Sequence, residues 1–114
     1  MGIPNNTHKV GSDAIAALGR YISLHTSTGG GTTGANEATG GGYARVQTTW
    51  TSGSTGTNTG SEVNIACAAG TYTEGGIFSA STSGTFVGSQ AFDGGSVVVS
   101  GSGSSIDVTP RVTV

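Results

Sequence analysis

Two histidines, one cysteine and six carboxylates are the side chains from which a general base, a metal-ligand set or a paired-carboxylate site would have to be drawn. His8 lies in a polar N-terminal stretch and His25 at the end of a β-rich one, so both read as surface or sheet-edge residues. Neither shares with Cys67 or an acidic residue the close spacing of a zinc or iron site. Asp13, Glu37, Glu62, Glu74, Asp93 and Asp107 are scattered, and no two are placed by a common element as an acid–base pair. The tracts 29–31 and 40–42 are pure glycine, but no Lys-Ser or Lys-Thr follows and no helix start is at hand to hold phosphate. Asp93-Gly94-Gly95 lacks the alternating acids of a calcium loop and reads as a hairpin turn. Trp50, Tyr21, Tyr43 and Tyr72 could stack on a sugar, yet aromatic residues are only 6% of the chain and a core needs them. Cys67, among Ile65, Ala66, Ala68 and Ala69, reads as a small buried thiol, and a single cysteine forms no internal disulfide. The expectation is a protein with no catalytic residues, no metal and no cofactor.

The elements that would position such residues are mostly strands. Residues 1–9 show no periodicity and read as an N-terminal arm, in which Ile3, Pro4, Asn5, Asn6 and Thr7 would contact a neighbouring subunit. Residues 12–18 carry a helix signature: Ser12 as cap, Asp13 in the first turn, Gly19 as stop, with Ile15 and Leu18 on one face. Residues 20–26 form the first strand and 42–50 a second, whose two-residue alternation turns Val46 and Trp50 inward. Between them, residues 27–42 form an exposed loop bearing Asn36, Glu37, Gly40, Gly41 and Gly42, with Glu37 and Arg45 placed to pair across the glycine bend. A second Gly/Ser/Thr loop spans 51–60. From residue 61 onward short β-like segments recur with Gly-rich turns between them.

This pattern predicts an all-β fold: an antiparallel β-sandwich of about seven strands with one short N-terminal helix, as a single domain over residues 10–114. The expected core is Ile22, Leu24, Val46, Trp50, Val63, Ile65, Ile77, Phe78, Phe86 and Val98. Only 33% of the 114 residues are hydrophobic and 9% charged, so the core is thin and the surface consists mainly of neutral hydroxyls. With one lysine and two prolines to blunt them, strand edges invite cover by neighbours, which favours a multi-copy assembly component. A net charge of −2, with Lys9, Arg20, Arg45 and Arg111 dispersed, argues against nucleic-acid binding. No apolar run approaches the length of a membrane span, and no secretory leader is apparent at the N-terminus.

Several segments carry a family resemblance: Tyr21-Ile-Ser-Leu-His-Thr26, then Thr33-Gly-Ala-Asn-Glu-Ala-Thr-Gly-Gly-Gly-Tyr-Ala-Arg45, then Gly75-Gly-Ile-Phe-Ser-Ala80, behind a short helix. Over most of residues 11–114 the chain resembles small tail fibre or minor tail proteins of actinobacterial tailed phages. The resemblance implies a non-enzymatic virion structural protein, made in the host cytoplasm, whose partners are other virion proteins of the tail or the major capsid protein. Capsid decoration is an alternative place for it on the particle. A host-receptor module, binding a surface glycan through the 27–42 and 51–60 loops, is a second alternative function.

Overall fold

The computed structural model describes residues 2–114 and contains one helix and eleven strands. In chain order they are α1 (Asn5–Ala16), β1 (Tyr21–His25), β2 (Val46–Gln47), β3 (Trp50–Ser52), β4 (Thr57–Gly60), β5 (Val63–Cys67), β6 (Gly70–Tyr72), β7 (Glu74–Phe78), β8 (Phe86–Ala91), β9 (Val97–Val99), β10 (Ser104–Val108) and β11 (Arg111–Thr113). Every pairing is antiparallel. The strands make a four-stranded sheet ordered β2-β1-β7-β8, a three-stranded sheet β11-β4-β3, and two ribbons, β10-β5 and β6-β9. The fold is therefore all-β and sandwich-like with an N-terminal helix. The strand number exceeds the expected seven in part because residues 51–60, read as a loop, form most of the β3-β4 hairpin. Residues 42–50, read as one strand, break at Thr48-Thr49 and give only β2 and the first residue of β3.

Strict alternation survives where the side chains allow it. In β5, Val63, Ile65 and Cys67 are buried while Asn64 and Ala66 face outward, and Ile65 sits directly across from Ile106 of β10. These residues pack with Ile22 and Leu24 of β1, Ala38 and Tyr72 to form the core, flanked by half-buried Val46, Trp50 and Ile77. Trp50 uses its polar end as well, since its indole N–H donates to the Gly19 carbonyl at 2.9 Å. Cys67 is a fully buried free thiol, as its apolar neighbours suggest.

Three expectations are corrected here. Val98 is 76% exposed: the β6-β9 ribbon turns Val97 and Val99 to the core, and alternation then sends Val98 to solvent beside Thr71. Asp93-Gly94-Gly95 is a turn, closed by the Gly95 N–H on the Phe92 carbonyl, but it joins strands of two different sheets and makes no hairpin. The helix starts at Asn5 and ends at Ala16, so Asn5, Asn6 and Thr7 are its first turn and the arm shortens to the residues before it. Pro4, extended at φ −65° and ψ 154°, occupies the N-cap.

The helix shift has a tertiary cause. Ser12, read as a cap, instead lies mid-helix and accepts a bond from Asn58 Nδ2 at 2.8 Å. Asp13 bonds Lys9 Nζ one turn earlier at 2.7 Å and accepts from Ser52 and Asn58 of the β3-β4 hairpin at 2.6 and 2.9 Å. Those partners hold its carboxyl well below the usual carboxylate range, Lys9 contributing most. Leu18 then falls beyond the helix and is 61% exposed, leaving Ser12 and Ala16 as the buried helix residues. A sheet that supplies its own donors to a helix overrides weak local propensity.

The burial pattern makes a direct prediction. Ile65→Ala should destabilise by about 2–5 kcal/mol, whereas Val98→Ala should stay within roughly 0.5 kcal/mol. Urea unfolding of the two variants checks it, and equal effects would contradict the packing described.

Candidate functional site

The region richest in polar chemistry lies where the 27–42 loop returns across β1 and β7. Glu37 pairs with His25 as an isolated antiparallel bridge, and the Ala38 N–H donates to the Leu24 carbonyl at 2.9 Å, so this part of the loop is a near-strand lying along the sheet. Asn36, with φ 58°, donates from its side chain to Thr28 Oγ1 and the Gly29 carbonyl, tying the loop's two limbs together. Gly40, Gly41 and Gly42 all have positive φ, and the Tyr43 N–H donates to the Gly40 carbonyl, making a left-handed turn. A Cβ on Gly41 would enter the backbone of Ala68, so the middle position is closed to other residues by both dihedral and space.

That turn delivers Tyr43 and Arg45 to Glu37. Arg45 grips the carboxylate bidentately, Nε on Oε2 at 2.8 Å and Nη2 on Oε1 at 2.9 Å, and the Tyr43 hydroxyl donates to Oε2 at 2.7 Å. The same hydroxyl accepts the Leu24 N–H at 3.3 Å. Arg45 Nη1 donates to the carbonyls of Ala80 and Ser83, and its guanidinium carbon lies 3.5 Å from the Phe78 ring centroid. The expected Glu37–Arg45 pairing is thus present, but it is more enclosed than an exposed loop suggests: the Arg45 side chain is only 9% accessible. Burial by itself would raise the Glu37 carboxyl; the Arg45 and Tyr43 hydrogen bonds outweigh it and hold the group below its ordinary value.

His25 is completely buried, contrary to its reading as a surface or sheet-edge residue, because the loop folds over the end of β1. Its Nδ1 donates to the Ala35 carbonyl at 2.8 Å, which leaves Nε2 to accept from the Ser23 hydroxyl at 2.8 Å when the ring is neutral. The ring lies parallel to Phe78 and edge-on to Phe86. Ser23 and His25 thus have the spacing of a nucleophile and its base. Both are inaccessible, and Gly76, paired with Ser23 across β7, leaves no space over them: a Cβ there would come 2.5 Å from Ser23 Oγ and 2.6 Å from His25 Nε2. The pair binds the loop and is closed to any substrate. On the same side, Glu74 accepts the Gly30 N–H at 2.9 Å and the Ser89 hydroxyl at 2.8 Å, which lower its carboxyl in that order.

The other sequence candidates lie apart from this cluster. Ile3 and Pro4 are exposed ahead of α1, with Asn5, Asn6 and Thr7 exposed in its first turn. His8 is half-buried on the helix. Among the described residues no three His, Cys, Asp or Glu side chains gather as a metal would require. No helix among them is long and apolar enough to cross a membrane. Sequence reasoning missed Tyr43 as the third member of the Glu37–Arg45 contact; its two-residue offset from Arg45, just past the glycine bend, was the available signal.

A family model described as "Podophage GP4 fiber I protein gp80" matches residues 7–110. The chain belongs to that family. It is a phage fibre protein, a structural component of the virion that associates with other virion proteins. No curated protein and no solved structure matches it. The family match opens inside α1 and ends before β11, so Ile3 and Pro4 lie outside it while the whole Glu37–Tyr43–Arg45 cluster lies within. For a fibre protein this cluster is a fastening: its charged and aromatic groups bond one another and shape the backbone.

The fastening has a pH signature. Glu37 and Glu74 titrate lower folded than unfolded, so their stabilisation is complete above the unfolded carboxyl range and disappears as pH falls through the lowered folded values. Glu37→Gln should cost about 1.5–3 kcal/mol at neutral pH and flatten the loss of stability in acid. Urea midpoints measured across pH for both chains test this; parallel curves would show that Glu37 contributes nothing specific.

Proposed function

We propose that this fibre-family chain is a small, surface-displayed, tail-associated module, present in several copies on the virion and held there by its own N-terminal arm. The observation that carries the reading is the division of its chemistry. Glu37, Arg45, Tyr43, His25 and Glu74 satisfy one another or nearby backbone groups, whereas exposed Ile3 stands ahead of the helix and its backbone bonds nothing else among the described residues. A module whose reactive groups point inward and whose N-terminal Ile3 stands exposed ahead of its first element is built to be attached. An actinobacterial host belongs to this reading and rests on the sequence resemblance alone.

The role assigned to Asn5, Asn6 and Thr7 changes with the helix. Their backbone is committed to α1, so strand-like pairing with a neighbour falls to the residues before it, with Ile3 as the anchor. Because the helix needs residues 5–16 to reach the β3-β4 hairpin, the informative alteration is a point change that leaves it whole. Ile3→Asp should fold normally, by circular dichroism and urea midpoint, yet be depleted several-fold from purified particles relative to the unaltered chain. Quantitative mass spectrometry of the virions measures both copy number and depletion. Undiminished incorporation would rule the arm out as an anchor, and hundreds of copies per particle would place the chain on the capsid lattice instead of the tail.

A further inference from the structure

Of the three aspartates only Asp93 is followed by glycine, and no asparagine is. Asp93 sits in the link 93–96 between β8 and β9, whose two ends are fixed: the Phe92 N–H donates to the Thr73 carbonyl at 3.4 Å, and Val97 pairs with Tyr72. Within the link the turn is closed by the Gly95 N–H on the Phe92 carbonyl at 3.0 Å, while the Gly94 N–H makes no backbone hydrogen bond among the described residues. Gly94 and Gly95 have φ of 86° and 93°, and the space that a Cβ would take at either is empty. Nothing therefore crowds the Gly94 nitrogen. The Asp93 side chain is 84% exposed, and Arg111, which meets it at 2.9 Å, is itself 58% exposed, so solvent opens the pair readily. The other two aspartates are held differently. Asp13 precedes Ala14 within α1 and is bonded by Lys9, Ser52 and Asn58. Asp107 precedes the branched Val108 within β10, with the Asn64 amide on its carboxylate.

We infer that Asp93 is a site of spontaneous isomerisation, and that its conversion to isoaspartate loosens the β8-β9 link and frees it from β11. An unhindered carboxyl beside an unbonded, uncrowded amide nitrogen is the arrangement that closes a five-membered ring. The Gly94 nitrogen attacks Asp93 Cγ and the N–Cγ bond forms. The nitrogen gives up its proton, which leaves with the carboxyl hydroxyl as water, and a succinimide results. Water then adds to one of the two ring carbonyls. Opening at Cγ restores aspartate; opening at the former main-chain carbonyl breaks the original peptide bond to Gly94 and leaves isoaspartate. One water departs and one returns, so mass and oxidation state are unchanged and no co-reactant is needed. The product runs its main chain through Cβ and Cγ, which adds a methylene inside the turn that the Gly95 N–H closes on the Phe92 carbonyl. Its carboxylate hangs directly from Cα, shortened by that methylene and out of the geometry that met Arg111. The added length falls between two fixed ends. β9, three residues long and paired with β6 alone, is the element that gives way.

Isotope labelling of the full-length protein tests the site. The chain is held for weeks in neutral buffer made with oxygen-18 water, digested in ordinary water and mapped by peptide fragmentation. Each ring opening installs a labelled oxygen, so label should accumulate at Asp93 several-fold above Asp13 and Asp107, together with the fragment ions of isoaspartate. Asp93→Glu keeps the charge and the exposure but demands a six-membered ring, and labelling at that position should fall to the level of the other two acids. Background labelling at Asp93, or equal labelling at all three aspartates, overturns the site. Amide hydrogen exchange tests the consequence. In the isoaspartate form, separated by chromatography, Val97–Val99 should exchange several-fold faster than in the fresh chain while Val63–Cys67 of the core strand stay unchanged. Equal exchange of β9 in the two forms overturns the loosening.

Discussion

The bidentate grip of Arg45 on Glu37 is the contact from which the rest of this fold's order can be followed. One guanidinium reaches the returning limb of the 27–42 loop, the Phe78 ring of β7 and the carbonyls of the 79–85 connection. It reinforces the backbone bonds from Thr26 to Asn36 and from Ala38 to Leu24 that lay the loop over β1, where it covers His25, Ser23 and Leu24. A chain with so few large apolar residues cannot define such a loop by packing alone. It uses a directional, nearly enclosed charge pair, in which hydrogen bonds to both carboxylate oxygens offset the cost of removing the ions from water.

Glycine makes that pair reachable. The left-handed turn at 40–42 folds the chain tightly enough for Tyr43 and Arg45 to approach Glu37 from one side, and its contact with the Ala68 backbone seats the turn against the end of β5. The composition that looks like low complexity in the sequence is at this point a geometric requirement.

How much of this was legible beforehand varied with the physics involved. Class, the presence of a short N-terminal helix, the buried Cys67, and the core positions Ile22, Leu24, Val63 and Ile65 followed from composition and side-chain pattern that act locally. Glu37 and Arg45 were recognisable as partners because they flank the glycine bend. His25 was not readable as buried, since nothing within residues 20–26 indicates that a loop ten residues away supplies a carbonyl for Nδ1. The true start of α1 was hidden for a similar reason: Ser12 and Asp13 look like a cap until Asn58, some 45 positions later, claims them. Val98 failed because two Val neighbours erase the alternation that tells in from out. In each case a non-local hydrogen bond or an ambiguous run decided what local pattern left undetermined.

The charged side chains hold one more implication. Three of the four basic residues, Lys9, Arg45 and Arg111, lie within 3 Å of a carboxylate, and the remaining exterior is largely hydroxyl, glycine and amide. Such a surface projects almost no long-range field, so dissolved ions have little to screen.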